Sequence, residues 1–157
     1  MSKLDKIDLR ILQVLQDEAR ITNQDLANKI HLSPSSCLMR VRKLEEAGVL
    51  ASYHAALNLK EVCRTVSCLV TISMKNQTKE DFSKFSEYVE RVPEVLECYT
   101  VSGEFDFFLK VVAPNMERYK ELTDEIIECT DAEMHLSTHV VMDENKVAKA
   151  YPLNQLI

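Results

Sequence analysis

Six side chains between residues 35 and 43 have the types and spacing to read a nucleic acid. In the stretch SPSSCLMRVRKLEEAG, residues Cys37, Val41 and Leu44 recur at i, i+4 and i+7 and should pack inward, with Leu38 beside them. Ser35, Ser36, Met39, Arg40, Arg42 and Lys43 are then left outside. Ser33 is placed as an N-cap, Pro34 takes the first helical position, where its missing N–H costs nothing, and Gly48 supplies a left-handed stop. Hydroxyls at Ser33, Ser35 and Ser36, followed by three cations in four residues, suit a helix that enters the major groove N-terminus first. The hydroxyls and free N–H groups reach base edges or phosphates, and the cations neutralise the backbone. A solvated amphipathic helix is the alternative; it accounts for charge but not for so many cations so close together.

A second constellation lies in VSGEFDFF, residues 101–108. It holds Gly103, one of only two glycines in 157 residues, between strand-forming runs and next to Glu104 and Asp106. A tight hairpin turn is a complete explanation for Gly103, because glycine accepts positive φ. Asp106 is harder to explain that way. A carboxylate that is the second residue of an apolar strand is costly if buried unpaired, so it should face solvent, an interface cation or a ligand amine. A backbone nest at Ser102-Gly103 suits a carboxylate and Asp106 suits an ammonium, and together they match the two ends of an amino acid. The residues by themselves leave both explanations open.

The elements that position these residues follow from periodicity and capping. KIDLRILQVLQDEAR places Ile7, Ile11, Leu12 and Leu15 on one helical stripe. TNQDLANKI opens with Thr22 as an N-cap, Asp25 three residues on, and turns Leu26, Ala27 and Ile30 inward. With the capped basic helix that follows, this is a helix-turn-helix over residues 1–48. LASYHAALN alternates as a linking strand over 49–60. Beyond it, strand, helix, two strands, helix and strand follow in order: TVSCLVTISM, KEDFSKFSEYVERV, EVLECYTV, FDFFLKVV, MERYKELTDEIIEC and EMHLSTHVVMD. The helices point Phe82, Phe85 and Val89, and Tyr119, Leu122 and Ile126, toward the sheet. Order βαββαβ over 61–157 predicts an α+β, ferredoxin-like domain with one sheet face under two helices. The other face needs a cover, and a second copy of the chain is the simplest one, so a homodimer is expected.

Composition narrows the classes. The net charge of −6 divides unevenly: residues 1–60 carry nine Lys/Arg against seven Asp/Glu, and residues 61–157 ten against eighteen. Only the first part suits a polyanion. No apolar run approaches the ~20 residues that span a bilayer, and the N-terminus lacks the apolar core of a signal peptide, so the cytoplasm is expected. Cys37, Cys63, Cys68, Cys98 and Cys129 are odd in number and scattered, and are expected as small buried hydrophobes in a reducing compartment. His135 and His139 share a strand face roughly 13 Å apart at ~3.3 Å per residue, too far for one ion, so no metal is expected. There is no Ser/His/Asp or Cys/His set with supporting context and no phosphate-cradling loop, so no enzyme is expected and no cofactor beyond a small-molecule effector.

The blocks LDKIDLRILQVLQDEARITNQDLANKIHLSPSSCLMRVRKLEEAGVL, TVSGEFDFFLKVV and HVVMDE resemble, in this order, the Lrp/AsnC (feast/famine) transcriptional regulators, across nearly the whole chain. The resemblance implies a winged-type helix-turn-helix that binds double-stranded DNA and an effector domain controlled by a small amino acid. It also implies dimers that assemble further into tetramers or octamers. It places the effector site where one dimer meets the next, with Gly103, Glu104 and Asp106 in the turn beside Ser102 of the nest, Met116 in PNMERY, and His139, Val140 and Val141 in the last strand. Three positions depart from the family's habit: Ser52, where glycine is common; Ser35-Ser36, for a commoner Thr/Ser-Pro; and His139, often an aromatic. An architectural DNA-wrapping protein without an effector and a stand-alone amino-acid-binding module are the competing readings.

Overall fold

The computed structural model describes residues 4–76, 78–147 and 150–157. The chain divides into two compact units, Met1–Ala56 with Lys146–Ile157, and Leu57–Asn145. The C-terminal segment therefore belongs with the N-terminal helices, not with the 61–157 domain expected from the sequence.

The first unit contains helices α1 (Lys6–Asp17), α2 (Asn23–Ile30) and α3 (Pro34–Glu46), and a single turn, α7 (Leu153–Leu156). Its core holds Ile11, Leu12, Leu15, Leu26, Ala27, Ile30, Cys37 and Leu44, which are the inward stripes of the sequence pattern. Leu38 is an exception: it is 41% exposed, outside the core in which it was expected. Thr22 caps α2 through its hydroxyl to the Asp25 N–H, and Ser33 caps α3 to the Ser36 N–H. After α3, Gly48 at φ +65° lets its own N–H reach Glu45 O and that of Val49 reach Leu44 O, a Schellman stop. His31 does the corresponding work after α2 at φ 61°, with no glycine available. Residues 51–58 carry no strand. The expected linking strand has the right alternation, but a strand needs a hydrogen-bonding neighbour and one copy offers none.

The second unit adds a short helix α4 (Leu59–Val62) and then β1 (Val66–Lys75), α5 (Lys79–Glu90), β2 (Val95–Thr100), β3 (Phe107–Ala113), α6 (Met116–Glu128) and β4 (Glu133–Val140). The sheet is antiparallel in order β2-β3-β1-β4, the expected βαββαβ topology. Strict alternation on β1 and β3 buries Cys68, Val70, Ile72 and Met74, and Phe107, Leu109, Val111 and Ala113, beneath the helices. Phe85, Val89, Tyr119, Leu122 and Ile126 complete that core. The Phe107 ring sits 4.3 Å from that of Phe85 and 5.0 Å from that of Phe82. On the opposite face Leu69, Phe108 and Val112 stay half-buried and Tyr99 is exposed. Not all cysteines are core: Cys37 and Cys68 are buried and Cys129 is half-buried, while Cys63 and Cys98 are exposed. Both of the latter fall where one copy lacks cover, Cys63 just beyond α4 and Cys98 on the outermost strand β2. Among the described residues no helix is long and apolar enough to cross a membrane.

Candidate functional site

Helix α3 presents its outer face as its pattern requires. At ~100° per residue, Ser35, Met39, Arg42 and Lys43 fall opposite Cys37 and Leu44, and they line one shallow depression with Leu38 and Glu46. Ser33 is committed to capping, and its hydroxyl also donates to Ser36 Oγ at 2.9 Å and lies 3.2 Å from Ser35 Oγ. Arg42 and Lys43 have no ion-pair partner among the described residues.

Arg40 is placed differently from its neighbours. Its Nη1 donates to Asp5 Oδ2 and to Asp8 Oδ1, both at 2.7 Å. These carboxylates form the capping box of α1: Asp5 Oδ1 accepts from the Ile7 and Asp8 N–H groups, and Asp8 Oδ2 accepts from the Asp5 N–H. The Asp8 N–H bond and then the Arg40 bond hold the Asp5 carboxyl below the ordinary aspartate range, and the two carboxylates raise the Arg40 guanidinium in turn. Arg40 therefore fixes α3 against the start of α1 rather than standing free with the other cations. The D-x-x-D signature at residues 5–8 announces this cap in the sequence; its pairing with residue 40 is a tertiary contact.

The loop between β2 and β3 is longer than a tight hairpin. The Val101 N–H donates to Asp106 O at 2.9 Å and closes a loop over Ser102–Phe105. Gly103 adopts φ +127°, where other residues are strained, and a Cβ there would meet nothing within 4 Å. Ser102, Gly103 and Glu104 are exposed. Asp106 has a structural role that the sequence did not reveal. Its Oδ2 accepts the Met74 N–H at 2.8 Å, and its own N–H donates to Ile72 O at 2.8 Å. It thereby extends the β1–β3 ladder past Phe107 and gives the carboxylate a partner within the sheet, one not among those expected from the sequence.

The other candidates lie far from this loop. Strand β4 pairs His139 with Leu69 and Val140 with Cys68, and the Val141 N–H donates to Ser67 O at 2.8 Å. Met116 opens α6 just beyond Ala113, which pairs with Val66, and is 48% exposed. Tyr119 Oη is 2.6 Å from Thr138 Oγ1, which lays the first turn of α6 beside this end of β4. The eight candidates thus form two groups, one at the Ile72–Met74 end of β1 and one at the Val66–Leu69 end. By register Asp106 stands opposite Ser73 and His139 opposite Leu69, four residues apart along β1, about 13 Å. Successive residues of β4 also face opposite ways: His139 lies on the uncovered side and Val140 on the helix side. A cleft of about 570 Å³ on the second unit is lined by Lys60, Arg64, Lys110 and Val141–Glu144, among others. Of the eight candidates only Val141 borders it, and two of its cations already face acids, Lys110 with Glu144 at 3.6 Å and Lys60 with Asp143 at 3.9 Å.

Comparisons with known proteins match this two-unit arrangement. Residues 4–51 match the winged helix-turn-helix DNA-binding family, and residues 67–151 match the Lrp/AsnC ligand binding domain. The transcriptional regulator AzlB of Bacillus subtilis is 34% identical over 98% of this chain and 98% of its own. The leucine-responsive regulatory protein of Escherichia coli K12 is 37% identical over 91% of this chain and 87% of its own. Among solved structures, a transcriptional regulator from Neisseria meningitidis in complex with L-methionine superposes with a TM-score of 0.88. It is 33% identical, and the match covers 99% of this chain and all of that one. An AsnC family regulator from Agrobacterium tumefaciens gives the same TM-score at 32% identity. With both units matched in order and relatives aligned nearly end to end, this chain belongs to the Lrp/AsnC family of transcriptional regulators, a DNA-binding helix-turn-helix joined to a ligand-binding domain.

Proposed function

We propose that this regulator binds DNA through the outer face of α3 and that a small amino acid, held in a site shared between copies, controls its binding or assembly. The separation of the two candidate groups along β1 and on opposite sides of it carries the shared-site part of this reading. A free amino acid holds its ammonium only ~3 Å from its carboxylate oxygens, too short to join Asp106 to His139 within one copy. The loop of one copy set against the Met116/His139–Val141 end of another removes that gap. The L-methionine complex of the Neisseria relative supports an amino acid as the ligand class, and the names of the curated relatives support regulation rather than catalysis. The uncovered sheet face and the unpaired 51–58 segment support a homodimer as the building unit, and a site shared between dimers implies a tetramer or octamer. Double-stranded DNA, the amino acid and further copies of the chain are the proposed partners, in the cytoplasm and without metal or other cofactor.

Thermal-shift titration against the twenty amino acids tests this, because a ligand that binds only the native state raises stability by RT ln(1 + [L]/Kd). One or a few amino acids should raise the melting temperature and, at the same concentration, change the DNA gel shift or the sedimentation profile. If none does either, the architectural, effector-independent reading replaces this one.

A further inference from the structure

We propose that Met39 is a specificity residue that reads the C5-methyl group of a thymine in the major groove. The inference rests on the DNA-binding reading above and adds the chemistry of the base that is read. Met39 is 68% exposed on α3. It is an unbranched apolar side chain at the centre of the outer face, with Ser35 one turn before it, Arg42 and Lys43 one turn after, and the less exposed Leu38 at the edge. The helix itself does not need it there, since Cys37 and Leu44 carry the packing on the other side.

Arg42 and Lys43 bring this face to a polyanion, and their position on either side of Met39 sets it between two cationic contacts to phosphate or guanine. Of the groups displayed in the major groove, only the thymine methyl is apolar; the remaining edges are hydrogen-bond donors and acceptors. A thioether directed into that groove has this one favourable partner, and its flexible stem adapts to the methyl's position. The clamp on Arg40 strengthens the assignment, because Asp5 and Asp8 remove the cation that would otherwise dominate base reading beside Met39.

The test uses the full-length protein. Binding sites are first selected from a random duplex pool, and each thymine of the selected half-site is then replaced by uracil, which deletes only the methyl. One replacement should weaken binding about fourfold per half-site, the value of one buried methyl-sized group. Met39→Ala should bind the thymine and uracil sites equally, and Met39→Leu should restore the preference. The proposal is overturned by a half-site without thymine, by uracil that is neutral everywhere, or by a methyl preference that survives Met39→Ala. Binding to DNA that persists in those cases leaves the DNA-binding reading standing. Failure to bind any duplex at low salt overturns that reading and this proposal together.

Discussion

Arg40 and Arg42 are two residues apart on one basic helix, yet their surroundings give them different tasks. Arg40 donates to two carboxylates of the α1 capping box, whereas Arg42 stands on the outer face without an ion-pair partner among the described residues. Arg42→Ala is expected to cost roughly 1–3 kcal/mol of DNA affinity if it reads a guanine. Arg40→Ala should instead lower the melting temperature and change DNA affinity less. Gel-shift titration and thermal melting of both variants separate these outcomes, and equal losses of DNA affinity would contradict the division of roles. Asp106 is open to similar dissection. Asparagine retains an oxygen to accept the Met74 N–H, while alanine leaves that half-buried donor unpaired at a cost of about 1–3 kcal/mol. Asp106→Ala should therefore lose stability by urea denaturation and Asp106→Asn much less. If the carboxylate also meets an effector ammonium, calorimetry should show Asp106→Asn binding the stabilising amino acid about tenfold more weakly or worse, since a charge-assisted bond is worth about 1.5–3 kcal/mol. Unchanged binding would confine Asp106 to its role in the sheet.

Among the elements, the C-terminal segment differs most from its sequence-based assignment. The Gln16 carboxamide forms two bonds to the Tyr151 backbone, with Oε1 accepting its N–H at 2.7 Å and Nε2 donating to its carbonyl at 3.4 Å. In effect it imitates a neighbouring strand. Asn154 donates to Gln13 Oε1 at 3.4 Å, and Leu153 packs against the core of the first unit. The tail thus completes the DNA-binding unit's surface along α1. Leu153→Ala should destabilise that unit by about 1–2 kcal/mol, below the usual range for a fully buried leucine because Leu153 is only half-buried. Hydrogen exchange of the α1 amides provides the measurement: protection should fall there while β1 and β3 keep theirs. Uniform loss across both units, or no loss at all, would show that the tail is not part of this unit.

For the molecule as a whole, what one copy leaves unfinished predicts the assembly. One sheet face lies under α5 and α6, and the other presents Leu69, Phe108, Val112 and Tyr99 without helices over it. Residues 51–58 have the alternation of a strand but pair with no strand among the described residues. A two-fold partner would meet both deficits, and two copies of α3 on such an axis would read half-sites about 34 Å apart or a multiple of it. Sedimentation at micromolar concentration without DNA should show dimers or multiples of dimers. Leu69→Lys, which sets a charge in the middle of the uncovered face, should shift that distribution toward 18.0 kDa monomers while the helix-covered core stays folded. A wild-type chain that sediments as a stable monomer would refute the argument.

Much of this protein is already determined by local pattern. Caps at Thr22, Ser33 and Gly48, the helical stripes and the alternation on β1 and β3 are short-range consequences of side-chain shape and hydrogen bonding, so the three N-terminal helices, the βαββαβ order and the fold class follow from the chain itself. The outer face of α3 was legible for the same reason, since a helix turns its residues by a constant angle. Tertiary structure decided what depends on distant partners. Arg40 could be counted among free cations until α1 supplied Asp5 and Asp8, and Asp106 was left to solvent, an interface cation or a ligand amine until β1 supplied the Met74 N–H. The tail could not be assigned to α1 because Gln16 and Tyr151 lie 135 residues apart. Sheet register likewise sent the ligand-domain candidates to opposite ends of β1, because antiparallel pairing sets strands side by side with their ends exchanged, a relation that spacing along the chain does not carry.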